Sequence, residues 1–145
     1  YVAAKVLSQP ALLNAIRQGH AYLADGVAPF VVNFQAEVAT GKRPSRWIAG
    51  DEIRLNARGK IRFIFSVEGT RTDITASLIS NGQTIQDFPV KMDGERQVIE
   101  IECQRDSYFR LEVRDAAKAM IALTNPIYVK IDSGGKRTAV PKRAR

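Results

Sequence analysis

Residues 60–67, KIRFIFSV, decide the fold of this chain. Ile61, Phe63, Phe65 and Val67 occupy every second position, with Lys60, Arg62 and Ser66 between them, and only Ile64 breaks the alternation. Successive side chains of an extended strand point to opposite faces, so this pattern sets one face on a core and the other in water. The same period recurs on both sides. Upstream, Phe30, Val32, Phe34, Ala36 and Val38 alternate with Val31, Asn33, Gln35 and Glu37, and Ile53 and Leu55 alternate with Glu52, Arg54 and Asn56. Downstream it continues through Ile74, Ala76 and Leu78, through Ile99, Ile101 and Cys103, through Phe109, Leu111 and Val113, and through Ile127, Val129 and Ile131. Asn81-Gly82 lies between two such runs and is a strong hairpin signal. Ala57-Arg58-Gly59, Asp93-Gly94 and Asn125-Pro126 read as further turns. Roughly seven to nine short strands separated by turns predict a mainly β protein, an immunoglobulin-like antiparallel β-sandwich.

The N-terminal segment has a different period. In ALLNAIRQGHAYLADG, residues 11–26, Leu12, Leu13 and Ile16 share one helical face. Ser8 stands where an N-cap belongs, Pro10 fits the first turn, and Gly19 fits the left-handed position that ends a helix. The spacing predicts one short helix over residues 10–18, followed at once by a strand. Alone such a helix is marginal in water, so its apolar face needs a surface to pack on. Residues 1–28 therefore read as a helix and connecting strand, 29–132 as the sandwich, and 133–145 as a basic, disordered tail.

The net charge is +7, but Lys136, Arg137, Lys142, Arg143 and Arg145 supply five of those charges and residues 133–145 contain no acid. The body is nearly balanced, so basicity does not make it a nucleic-acid binder. Binding of an anionic polymer through the tail would be strongly salt-dependent, and a solvated tail is the simpler expectation. No apolar run approaches the ~20 residues of a membrane-spanning helix. Cys103, the single cysteine, alternates with Ile99 and Ile101 and reads as a small buried hydrophobe. One cysteine forms no internal disulfide and no thiolate zinc cluster.

Few residues suggest chemistry. His20 is the only histidine, and one histidine does not make a hydrolytic metal site. A helix C-terminus favours a protonated imidazole, which is a sufficient structural reason for it. Asp51, Glu52, Asp93 and Glu95 fall in predicted turns without calcium-loop spacing and read as solvated acids. No Gly-rich phosphate loop and no Ser-His-Asp set can be assembled. GKRPSRW, residues 41–47, places Lys42, Arg43 and Arg46 beside the sole tryptophan, Trp47. An aromatic among cations can stack on a sugar or a base, making Arg43, Arg46 and Trp47 candidate ligand-binding residues. The competing reading is that Trp47 plugs the end of the sandwich while the cations stay wet.

Taken in order, Tyr1-Val2, the 11–26 stretch, LISNGQTI at 78–85 and ALTNPIYV at 122–129 resemble the C-terminal part of PHP-type metal-dependent hydrolases, the polymerase and histidinol phosphatase family, in its carbaryl-hydrolase-like branch. The resemblance spans roughly residues 1–131 and rests on the order and spacing of these motifs. It implies that the helix is the last of a catalytic α/β barrel, that Gly19-His20 is the joint to an appended sandwich, and that Leu12, Leu13, Ile16 and His20 form an interface. The barrel's divalent metals and their His, Asp and Glu ligands would lie in earlier strands, the last of them an Asp-x-His shortly before Tyr1. None of those motifs occurs here, so no catalytic or metal-binding residue is assigned to this chain. His20 stands where arginine is common, and Asp25-Gly26-Val27-Ala28-Pro29 replaces a tighter Gly-Pro turn, which leaves branch and substrate open. The expected role is a non-catalytic accessory domain that packs on its own N-terminal catalytic domain or supports homo-oligomer assembly. The alternative is a carbohydrate- or ligand-binding module that uses the Trp47 loop. If the barrel partner is absent, the apolar face of the helix should stand exposed rather than buried in this chain's own core.

Overall fold

A computed structural model describes residues 1–25, 31–39, 44–69, 73–90 and 94–132. The chain runs as one helix, α1 (Gln9–Arg17), and then eleven strands among the described residues. These are β1 (Tyr22–Ala24), β2 (Val31–Val38), β3 (Ser45–Ile48), β4 (Glu52–Leu55), β5 (Gly59–Glu68), β6 (Ile74–Ser80), β7 (Gln83–Val90), β8 (Gln97–Cys103), β9 (Ser107–Arg114), β10 (Met120–Thr124) and β11 (Ile127–Ile131). They build two sheets packed face to face, so the protein is a β-sandwich.

The smaller sheet has the order β3-β2-β5-β8 and is antiparallel throughout. The larger sheet is organised around β9. One edge of β9 pairs with β6, and β6 pairs in turn with β7 through the Asn81-Gly82 hairpin. The other edge pairs with β10 along the C-terminal half of β9 and with β11 along its N-terminal half. β10 and β11 are therefore one long strand interrupted at Asn125-Pro126. That composite strand carries β1, antiparallel, against β10 and β4, parallel, against β11.

The 60–67 stretch does what its alternation implies. Ile61, Phe63, Phe65 and Val67 are buried in the core between the sheets. The Phe63 ring lies 5.9 Å from Phe34 of its own sheet and 4.4 Å from Phe109 of the opposite one. Phe65 meets Phe88 edge-on at 4.9 Å. Val32, Phe34, Ala36 and Val38 of β2, Ile74, Ala76 and Leu78 of β6, Leu111 and Val113 of β9, and Ile127 and Val129 of β11 complete the filling. Cys103 is buried with them. Burial pushes its thiol pKa up to about 11.

Four expectations are corrected. Asn125-Pro126 does not reverse the chain but kinks a continuing strand, because Pro126 has no N–H for a ladder and Thr124 Oγ1 accepts the Leu111 N–H at 3.0 Å beside the break. Ser45–Ile48, placed inside a loop by its cations and Pro44, is strand β3. The sandwich begins before residue 29, because β1 is already a member of the larger sheet. Ile64 breaks the alternation yet is buried on the outer face of the smaller sheet, where its register neighbours are Gln35 and Val98 and the row continues to Ile48. Phe30, the Asp93 turn residue and the basic tail lie outside the described residues.

Candidate interface at the helix–sandwich joint

α1 begins at Ser8, whose hydroxyl accepts the Ala11 N–H at 3.4 Å, with Pro10 in the first turn. It ends at Gly19, which holds φ +75 and closes the last turn on the Ile16 carbonyl. Only Ala15 of the helix is buried. Leu12 is half-buried, while Leu13 and Ile16 are 44% and 54% exposed. Just before the helix, Val6 and Leu7 stand out as well, Leu7 at 94%. The apolar stripe read from the sequence therefore faces away from this chain's core.

The end of α1 is nonetheless fastened to the sandwich. Asn125 Nδ2 donates to the Gly19 carbonyl at 2.8 Å, and the Asn125 N–H donates to Ala21 at 3.2 Å. Gly50, in the turn between β3 and β4, donates to the Pro126 carbonyl at 2.9 Å. Its Cα lies so near that a side chain on Gly50 would meet the Gln18 and Gly19 backbone at 2.5 Å. The Asn125-Pro126 kink is thus the socket into which the helix end and the β3–β4 turn both fit.

Asp51 completes the joint. One carboxylate oxygen lies 2.8 Å from His20 Nε2, and the other accepts the Ile48 N–H at 2.8 Å. Its backbone carbonyl accepts the Tyr128 N–H. One aspartate therefore ties the residue after the helix to β3, β4 and β11. His20 belongs to this joint, and its ring is mostly buried.

Residues 1–3 add to the edge of β1. The Tyr22 N–H donates to Tyr1, the Ala3 N–H donates to His20, and the Tyr1 ring stacks on Tyr22 at 4.8 Å with parallel planes. Burial raises the Tyr22 pKa, partly offset by the nearby Val32 backbone. β1 belongs to one sheet and β2 to the other. Between them lies a cleft of about 360 Å³ whose walls include Val2, His20, Tyr22, Val31, Phe34 and Ile48.

The Trp47 loop is arranged differently. Arg46 and Trp47 are neighbours on β3, so they point to opposite faces. Trp47 sits opposite Ala36 and packs against the core, whereas Arg46 sits opposite Glu37 and donates to it at 2.8 Å. The indole and this guanidinium do not form a common platform. Arg43, like Lys42, lies outside the described residues. Among the described residues no group of three or more His, Cys, Asp or Glu side chains is placed to hold a metal ion. No helix among them is long and apolar enough to cross a membrane.

A second polar cluster lies on the outer face of the larger sheet. Glu112 is buried and accepts from Arg110 at 2.6 Å and from Arg114 at 2.9 Å. Burial raises its pKa, but the two guanidinium hydrogen bonds outweigh it and hold the carboxyl below the usual glutamate value. Ser77, on the neighbouring strand, donates to Asp87 at 2.6 Å.

Sequence reasoning placed His20 at the joint but missed Gly50 and Asp51 as its other half. Asp51 signals itself only weakly, as an Asp after Gly that can accept a backbone N–H three residues back. Its pairing with His20 depends on a contact between residues 31 apart. No protein-family model matches the chain, and no curated protein shows significant similarity to it.

Proposed function

We propose that the chain is a non-catalytic accessory β-sandwich of a larger PHP-type metal-dependent hydrolase or phosphoesterase, joined to the catalytic barrel through α1. The observation that carries this reading is the pairing of an exposed apolar helical stripe with a joint that is hydrogen-bonded to the sandwich. Leu13 and Ile16 are open to solvent, yet the helix that bears them is fixed at Gly19, His20, Gly50 and Asp51. A helix stabilised only by its own nine residues would not persist in water. One that is anchored just past its C-terminal end while its apolar side stays bare is suited to meet another surface. The motif order described above supplies the family of that partner.

Catalysis in such a protein belongs to the barrel, where divalent metals activate water against a phosphoester or similar bond. This chain contributes a wall and an anchor. The test compares the full gene product with residues 1–145 on p-nitrophenyl phosphate and its diesters, with manganese or zinc supplied. The reading expects metal-dependent turnover from the full product and none from residues 1–145. Equal turnover by both, or no metal-dependent hydrolysis by the full product, would overturn it.

A further inference from the structure

The segment that carries the exposed stripe is basic. Residues 1–24 contain Lys5 and Arg17 and not one Asp or Glu. Both cations are exposed, and among the described residues neither makes an ion pair. Arg17 lies one position from Ile16 in the last turn of α1, and Lys5 directly precedes the exposed Val6 and Leu7. The segment therefore offers exposed apolar side chains together with these unpaired cations, while the Asp51 carboxylate at its end is engaged by His20 and the Ile48 N–H.

From this we infer that α1 and residues 5–7 dock on a folded protein surface that is apolar at its centre and acidic at its rim. The inference rests on the accessory-domain reading and specifies the face that the partner presents. Charge complementarity decides among the occupants. A second copy of this chain would bring only further cations from residues 1–24 to the contact, and like charges across an interface are selected against. A lipid surface suits helices that lie in its plane and carry many cations. α1 has nine residues, carries one arginine, and is tied to the sandwich at Gly19. An apolar patch with carboxylates at its border satisfies both the apolar side chains and the cations.

The test uses residues 1–145 with two synthetic amphipathic helices that share a leucine stripe, one rimmed by glutamate and the other by lysine. Binding is followed by amide NMR shifts, so the site is read directly. The glutamate-rimmed helix should bind at least about tenfold more tightly and shift residues 5–17, with affinity falling as salt is added. In Lys5→Glu/Arg17→Glu the preference should invert, and Ile16→Asp should abolish binding of both helices while leaving the spectrum otherwise folded. Equal binding of the two helices, shifts located elsewhere, or no binding would overturn the inference. So would concentration-dependent dimerisation through α1, or tighter association with phosphatidylcholine–phosphatidylserine vesicles than with the glutamate-rimmed helix. These readouts do not involve catalysis. A gene product without hydrolase activity would overturn the functional reading and leave this result standing, and the reverse holds equally.

Discussion

Gly50 shows how much of the joint depends on a missing side chain. Its φ of +97 is one that residues with a Cβ rarely adopt, and the space a Cβ would fill is occupied by the Gln18 and Gly19 backbone at 2.5 Å. Gly50→Ala should therefore destabilise the protein by roughly 2–4 kcal/mol, combining the backbone penalty with overpacking. Gly82→Ala is the control. That glycine also has positive φ, but its nearest neighbour would be Tyr108 Oη at 3.8 Å, so about 1–2 kcal/mol is expected from the backbone alone. Urea denaturation measures both, and equal costs would contradict the close approach at Gly50. Glu112 makes a prediction in pH. Its folded pKa is depressed, so the stability it supplies is complete above the unfolded glutamate value of about 4.3 and is lost as pH falls through the lower folded value. Glu112→Gln should flatten the acid limb of the stability profile in that window, and an unaltered limb would show that the arginine clasp contributes nothing. At Cys103 the thiol pKa of about 11 leaves almost no thiolate at mildly alkaline pH. An aromatic disulfide reagent should modify it only as fast as the protein opens, whereas reaction at the rate of a free cysteine would contradict its burial.

At the scale of elements, the helix tests the account through what it leaves exposed. Leu13→Gln and Ile16→Gln should each cost residues 1–145 no more than about 1 kcal/mol, because each side chain is only about half covered and lies outside the core. Ala15→Asp places a charge at the one buried position of α1 and should cost several times more. A large loss at Ile16 would mean that the stripe packs on this chain after all. α1 was readable because its signals are local: Ser8, Pro10 and Gly19 stand within the segment they delimit. The core strands were readable for the same reason, since alternation along β2, β5, β6, β9 and β11 is a property of each strand by itself. What could not be read depends on partners far away in sequence. β3 is short and rich in cations, and it is a strand because β2 offers Gln35–Val38 as its ladder. Ile64 violates the pattern because the outer face of the smaller sheet has its own apolar row. Asn125-Pro126 has the composition of a turn, and becomes a kink because β9 is long enough to pair with both flanking segments. At the candidate site the apolar stripe and His20 were visible in the sequence. Asp51 and Gly50 were not, because each acts across the joint.

For the molecule as a whole, two properties combine. The sandwich has a continuous aromatic and aliphatic core and keeps its ionised groups paired at the surface, as with Arg46 and Glu37, Lys60 and Glu100, and Lys130 and Asp106. Beside it, the segment just past α1 is hydrogen-bonded to residues 1–3, to Asp51 and to Asn125, and the helix turns Leu13 and Ile16 outward. That combination, an exposed apolar side on an anchored helix, is what supports the reading of α1 as a contact surface. The most direct measurement is the intact mass of the native gene product, together with the sequence encoded upstream of Tyr1. The account predicts a long preceding region rich in His, Asp and Glu motifs, the last an Asp-x-His shortly before Tyr1. A native protein that begins near Tyr1 would contradict it.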